Sequence, residues 1–380
     1  MPEPGYDIGA LRRRVPLLSS CIPLNNCSQG PQTDATRAAA ERYLESWNRT
    51  GMDWDAWMEE VRVAKVAFAT LIGASSEDIA VFSSVSEATS AVASALDFTG
   101  RRRRVVVSEM EFPTTGHVWL AQRRRGAQVS WVPIHDGMIE LADYDAAIGE
   151  DTALVAACHG YYVNGFTQDV GAIVERAHAA GALVFADAYQ TLGVWPIDVK
   201  ATGVDFLASG NLKYLMSVPG IAFLYVRPGL ESLQPSVTGW FGRANPFAFD
   251  ARLLDWSTGA SRFDSGTPPI MNAYIARAGM EMISTIGVEK IRAWHEVLAN
   301  RLRDGGRERG LTLHGTTDLT RKTANTAFLV NDSHAIEQAM RTRGVLPSAR
   351  GPVIRLAPHF YNTIADVETA LELLAELTQS

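Results

Sequence analysis

The sequence predicts an α/β protein: a larger domain with a mostly parallel seven-stranded sheet, followed by a smaller C-terminal α/β domain. Two observations predict it. Between residues 79 and 226, seven short apolar runs alternate with stretches of helical pattern. After about Thr267 the pattern changes to long helices with only weak strand signals. Strands separated by helices of this length imply right-handed crossovers and parallel pairing.

The strands are expected at Ile79–Ser83, Arg104–Ser108, Gln128–Pro133, Ala153–Cys158, Leu183–Ala186, Val204–Ala208 and Ile221–Val226. Helices are expected at Glu87–Leu96, near His117–Arg125, and at Val170–Ala180 with Gly181 as its stop. Further on, Ala273–Ile286 and Glu289–Arg303 read as long helices. Thr326–Val330 and Val353–Leu356 read as strands around a helix at His334–Arg343, and Ile364–Leu377 closes the chain. The expected division is residues 21–274 for the large domain and 275–380 for the small one, with residues 1–20 packing against the small domain.

Composition bounds the function. The chain has 380 residues, 47% of them apolar and 20% charged, with a net charge of −7. An acidic balance argues against nucleic acid as a partner, because phosphate neutralisation needs a basic face. The arginine runs Arg101–Arg104 and Arg123–Arg125 read as a solvated face beside a strand. Three cysteines, without a CxxC pair or a Cys/His cluster, point away from structural zinc and from a disulfide framework. No apolar stretch reaches membrane-spanning length, and Arg12–Arg14 followed by a short apolar run makes a poor signal peptide, so a cytoplasmic location is expected.

The chemistry starts at strand ends, where open α/β sheets collect their ligands. Asp187 ends the apolar run Leu183–Ala186, and a carboxylate there needs a partner. Lys213 follows Val204–Ala208 and a Ser-Gly-Asn turn, among Leu212, Tyr214, Leu215 and Met216. Apolar surroundings lower an amine's pKa and make it nucleophilic. The two close strand–turn units separated by one connection, so both can point into one crevice. An amine and a carboxylate facing each other are what pyridoxal phosphate requires, one for its aldehyde carbon and one for its ring nitrogen. Ser84 to Thr89 lies between a strand and a helix, where backbone N–H groups and Ser86 suit an anion; read alone, it is an ordinary helix cap.

Phe185 to Gly193 and Val204 to Leu215, continued by Pro219 to Val226, resemble the ring-binding and lysine segments of the class V aminotransferases. These are fold-type-I pyridoxal-phosphate enzymes. Gly239 to Phe249 and Ser265 to Ile270 resemble the branch that holds kynureninases and isopenicillin-N-epimerase-like enzymes. The resemblance runs in order from about Leu24 to the C-terminus.

It implies that Lys213 forms the Schiff base and shuttles protons, and that Asp187 pairs with the pyridine nitrogen. Gln190 would reach the ring's phenolic oxygen, and Phe112 would stack on the ring. Ser86, Glu87 and Ser209 would lie at the phosphate. Gly266 and Thr267 would reach the cofactor of a second subunit, which implies a homodimer. Arg355 would bind the substrate carboxylate, with Asn26, Tyr161 or Tyr162, and Trp240 lining the pocket. The implied reaction is on an α-amino acid, by way of an external aldimine and a quinonoid.

Three departures from the family pattern bear on the outcome. Leu212 stands where a histidine or tyrosine usually precedes the lysine. Tyr161 or Tyr162 stands where an asparagine is expected. Residues 343–351 carry no cysteine for storing sulfur. The expected reaction is a lyase step at Cβ of a cysteine-derived or aryl amino acid. Transamination, epimerisation or decarboxylation, and a non-catalytic binding subunit are the alternatives.

Overall fold

The computed structural model describes residues 3–379. Its strands, in chain order, are β1 (Ile22–Pro23), β2 (Ile79–Phe82), β3 (Arg104–Ser108), β4 (Gln128–Val132), β5 (Thr152–Cys158), β6 (Leu183–Asp187), β7 (Phe206–Gly210) and β8 (Ala222–Val226). The small-domain strands are β9 (Leu313–His314), β10 (Thr326–Leu329), β11 (Val345–Leu346), β12 (Ser348–Arg350) and β13 (Val353–Leu356). The order β2-β8-β7-β6-β5-β3-β4 makes a seven-stranded sheet, parallel except for β8, which runs antiparallel to both neighbours. The expected α/β architecture with a mostly parallel sheet is therefore present.

Both faces of this sheet are covered, so its strands are apolar almost throughout. Side chains alternate along each strand. On β6, Val184 and Ala186 join one core and Phe185 the other; on β7, Leu207 and Phe206 divide in the same way. Antiparallel β12-β13-β10-β9 forms a second sheet with its own core around Trp294, Phe328, Ile354 and Leu371. Short β1 pairs in parallel with β11, and Asn25 bridges Ala357, so residues 22–25 run along the small sheet's side. Ahead of them, Tyr6 donates to the Phe360 carbonyl at 2.9 Å, and Arg12 meets Asp366 at 2.7 Å.

Residues 34–72, given no element above, form two long helices, Asp34–Thr50 and Trp54–Ile72, which pack on Ile270–Ile286. The first buries only Thr36, Ala39 and Ser46, so it has no strong apolar stripe to read. The helix expected near His117–Arg125 instead spans Pro113–Ala121 and tightens into a 3₁₀ turn at Gln122–Arg125. The arginine runs are spent locally. Arg101 pairs with Glu150, Arg104 with Asp151 at 2.9 Å, and Arg125 donates to the Ala93 carbonyl at 2.9 Å.

The amino ends of the central strands are tied by Asp205. Its fully buried carboxylate accepts from Val184 N at 2.7 Å, Arg227 Nε at 2.8 Å and His178 Nε2 at 2.9 Å. Replacing it leaves the Val184 N–H without an acceptor, while Arg227 and His178 reach water. Asp205→Ala is expected to destabilise the fold by about 2 kcal/mol in equilibrium urea unfolding; an unchanged midpoint would contradict this reading.

Candidate active site

Asp187 is the last residue of β6, and β7 lies beside it in parallel register, with Asp187 opposite Ala208. The chain leaves β7 at Gly210 and turns through residues 211–217. Both strand ends open into one cavity of about 210 Å³, which Asp187 and Lys213 line together. The other wall comes from the start of helix Val85–Ala95, from Phe112 and Thr114 ahead of and within helix Pro113–Ala121, and from Tyr162.

The lysine loop is held tightly. Gly30 N donates to the Leu212 carbonyl at 2.8 Å, Ser217 N to the Asn211 carbonyl at 2.9 Å, and His359 Nε2 lies 2.9 Å from the Tyr214 carbonyl. Met216 sits at φ 56°, in the left-handed region that a side chain disfavours, and is 1% exposed. Strain of that kind costs about 1–3 kcal/mol and persists only where the surroundings enforce it. Gly210 is required by contact: a Cβ there would collide with the Tyr189 ring. That ring in turn lies under the amine, with Lys213 Nζ 4.1 Å from its centroid and 5.8 Å from that of Phe112.

Burial lowers the Lys213 amine from its ordinary value to about 8, with the Asp187 charge opposing the shift. Burial pushes the Asp187 carboxyl up, while the Tyr189 N–H and Lys213 hold it down in part. Asp187 Oδ1 accepts that N–H at 2.8 Å, which leaves Oδ2 for a group in the cavity. Nearby Glu111 is buried with neither carboxyl oxygen hydrogen-bonded, and burial and the Asp187 charge push it well up, toward its neutral form. Cys158 donates to the Met110 carbonyl at 3.4 Å, and burial raises its thiol well above the usual range.

Several expected site residues meet in this cavity: Lys213, Asp187, Gln190, Ser86 and Phe112. Gln190 gives Nε2 to the Cys27 carbonyl at 3.0 Å and keeps Oε1 buried without a partner. Ser86 Oγ lies 3.4 Å from Thr114 Oγ1, at a helix start whose backbone N–H groups favour an anion. Glu87 does not line the cavity. Its own N–H goes to the cap Ser84 Oγ at 3.2 Å, and its carboxylate takes Ser83 N at 3.1 Å, one residue ahead of the cap.

Other expected residues lie elsewhere. Of the two tyrosines, Tyr162 lines the cavity and Tyr161 does not. Tyr162 meets the Phe112 ring edge-on at 5.3 Å. Ser209 is buried, with its hydroxyl on the Gly210 carbonyl at 3.0 Å. Asn26 is fully buried and spent on the Ala357 carbonyl at 3.1 Å and the Tyr361 hydroxyl at 2.8 Å, so it is a structural tie. Arg355 stands behind Tyr162, whose carbonyl it meets at 2.8 Å; its other partners are the Ser28 and Ser348 hydroxyls. It is 1% exposed and has no carboxylate within 4.0 Å among the described residues. Trp240 stacks on Trp54 and Phe249, and Gly266 and Thr267 are exposed, all outside this chain's cavity. Tyr189, Thr114 and Leu212 also line it. Tyr189 sits inside the ring-binding segment but its place under the amine has no signature in spacing.

A partly buried amine and a carboxylate at adjoining strand ends, facing hydroxyls at a helix start, define a fold-type-I pyridoxal-phosphate enzyme. The donor set fits that cofactor: the helix start suits its phosphate, and the open Asp187 oxygen suits its ring nitrogen.

Comparison with known proteins gives the family. Residues 34–367 match Aminotransferase class-V, and the chain belongs to that family. It is 36% identical over 370 residues to "Uncharacterized aminotransferase YcbU" of Bacillus subtilis (strain 168), covering 97% of each chain. It is 28% identical to a kynureninase of Pseudomonas fluorescens, over 98% of this chain and 92% of that one. The apo cysteine desulfurase of Thermococcus onnurineus NA1 has the same fold, with a TM-score of 0.89 over 100% and 99% of the two chains at 22% identity. The protein is thus a pyridoxal-phosphate enzyme of class V. No helix among the described residues is long and apolar enough to cross a membrane.

The titration of Lys213 is open to measurement. In cofactor-free protein, imine formation with added pyridoxal phosphate, trapped by cyanoborohydride, should rise through about pH 8. Asp187→Asn removes a charge that holds the amine's proton, so its midpoint should move to lower pH; a midpoint near that of free lysine in both proteins would refute the desolvated amine.

Proposed function

We propose that the enzyme cleaves a bond at Cβ of a cysteine-derived or aryl α-amino acid. The observation that carries this reading is the arrangement around Tyr162. Its ring and that of Phe112 wall the cavity, and its carbonyl holds a buried arginine that lacks an acid. A guanidinium with unspent charge recognises a substrate carboxylate. The aromatic pair recognises a flat or bulky side chain beside it.

In this reading Lys213 would hold the cofactor through its amine. The same Nζ would accept the proton from the substrate's Cα. Pyridoxal phosphate supplies the sink for the electron pair released there. Asp187 would keep the ring nitrogen protonated, and the Gln190 amide hydrogen not given to Cys27 would reach the phenolic oxygen. Ser86, Thr114 and the helix start hold the phosphate. Arg355, behind Tyr162, would act on the substrate carboxylate through its charge, so that the Cα–H bond faces the amine. The group leaving Cβ departs along the Phe112–Tyr162 wall.

The absence of a cysteine from residues 343–351, and the high pKa of the Cys158 thiol, argue against sulfur storage on the protein. The kinship to a protein named as an aminotransferase supports a second reading, in which Lys213 returns the proton to the cofactor and Cβ stays intact.

A homodimer with shared sites belongs to the same proposal. Phe241 N donates to the Ser265 carbonyl at 3.1 Å, which puts Trp240 and the exposed Gly266–Thr267 turn on one surface. That surface would close the other subunit's cavity.

Three experiments test these points. Lys213→Ala should lose the visible imine absorbance and fall at least about 10³-fold in turnover; an imine formed through another residue would end the proposal. A panel of amino acids should yield pyruvate with ammonia, or alanine with an aryl acid. Stoichiometric conversion to the pyridoxamine form, reversed by a keto acid, would establish transamination instead. Sedimentation should show a dimer, and a fully active monomer would remove the shared-site assignment of Gly266 and Thr267.

A further inference from the structure

Alternation along the strands gives this sheet a second chamber. Asp187 lines the cavity described above, while its neighbour Ala186 lines another. Past the end of β5, Cys158 and Gly160 face the first and His159 faces the second. The second cavity measures about 570 Å³, against about 210 Å³ for the first. That is the size of a pocket for a small organic ligand, roughly 300–1,000 Å³.

The inner wall is apolar, built by Ile173, Val204, Leu207 and Trp195. One acceptor faces inward. His159 Nδ1 lies 2.9 Å from Thr191 Oγ1, which also lies 3.3 Å from the Ala188 carbonyl. With the Thr191 hydroxyl on that carbonyl, Nδ1 carries the hydrogen and Nε2 is left as a lone pair.

The charged groups at the mouth have an excess of negative sign. Asp169 uses Oδ1 to cap helix Val170–Ala179 at Ala172 N, and Asp198 uses Oδ1 to cap Val199–Thr202. These caps take up the positive ends of both helices. Neither aspartate has an ion-pair partner within 4.0 Å among the described residues. The arginine of the lining, Arg321, is offset by Glu140 at 3.5 Å and lies over the Phe166 ring.

We propose that this second cavity binds a small organic cation with an apolar body, an alkyl- or arylalkyl-ammonium. Its hydrocarbon part fills the Ile173–Leu207 wall. Its N–H groups meet His159 Nε2 and the free oxygens of Asp169 and Asp198. The site is separate from the cofactor cavity and stands or falls independently of the reaction proposed above.

The test is calorimetric titration of 2-phenylethylamine into holoenzyme whose cofactor has first been blocked with aminooxyacetate, so that no imine can form with the probe. One site per chain is expected. The anion of similar shape, 3-phenylpropionate, should not bind. Asp169→Asn/Asp198→Asn keeps both helix caps, since asparagine caps as well as aspartate, but removes both charges; it should weaken the amine by about tenfold or more. Thr202→Trp, which fills the cavity from its rim, should abolish binding. Absence of saturable binding to the blocked wild-type enzyme, equal binding of the anion, or an unchanged affinity in both variants would overturn the proposal.

Discussion

A partly buried lysine amine beside a buried carboxylate is the constraint around which this structure is arranged. Each group alone would be costly to bury as an ion. Together they lower that cost, because Asp187 favours the charged amine and Lys213 favours the charged acid. Their proximity follows from topology. β6 and β7 are parallel neighbours, so their carboxyl ends lie side by side, and Asp187 and the lysine loop leave the sheet at the same edge. Much of the local detail serves this edge. Gly210 makes room for Tyr189, Tyr189 supports the amine, and the strained Met216 closes the loop that presents it.

Arg355 is a second buried charge with a different balance. It has carbonyl and hydroxyl partners but no acid, so its positive charge is solvated and not neutralised. In the reaction proposed above, Arg355 would favour an anionic substrate through that unneutralised charge. It also connects the two sheets. Arg355 sits on β13, and three residues past that strand His359 hydrogen-bonds the carbonyl next to Lys213. Arg355 and the contact that places the lysine loop thus share one short segment of backbone.

The fold was legible because both faces of the sheet are buried, which writes each strand as a near-continuous apolar run. β8 gave no sign of its antiparallel direction, since direction depends on how the chain connects and not on the pattern of a strand. Helix Asp34–Thr50 was hidden because its contact side is made of Thr36, Ala39 and Ser46, small or polar residues that carry no hydrophobic period. At the site, Asp187 and Lys213 were legible as charges in apolar surroundings. Glu87 was misleading for a physical reason. The same residue types that suit a phosphate loop also cap a helix, and here Ser84 takes the N–H of Glu87 while that residue's carboxylate is held by Ser83 N. Asn26 was drawn from a loop match, yet its amide is consumed by Ala357 and Tyr361. Tyr161 and Tyr162 are adjacent, and only the backbone's path decides which of them turns inward.

Period-two alternation has a consequence beyond packing. In a sheet covered on both faces, each strand end offers one residue to each side, so a chamber on one face is one residue away from a chamber on the other. Asp187 and Ala186, and Cys158 and His159, are such pairs. Gln168 joins them laterally, taking the Tyr144 hydroxyl at 2.6 Å on the side of the larger chamber and giving its amide to the Cys158 carbonyl at 2.6 Å on the side of the smaller. A ligand in the larger chamber would therefore lie one residue away from the backbone that carries Asp187 and Cys158. The strands' rigidity holds the amine and the acid in register on one face while the other face keeps a chamber of its own.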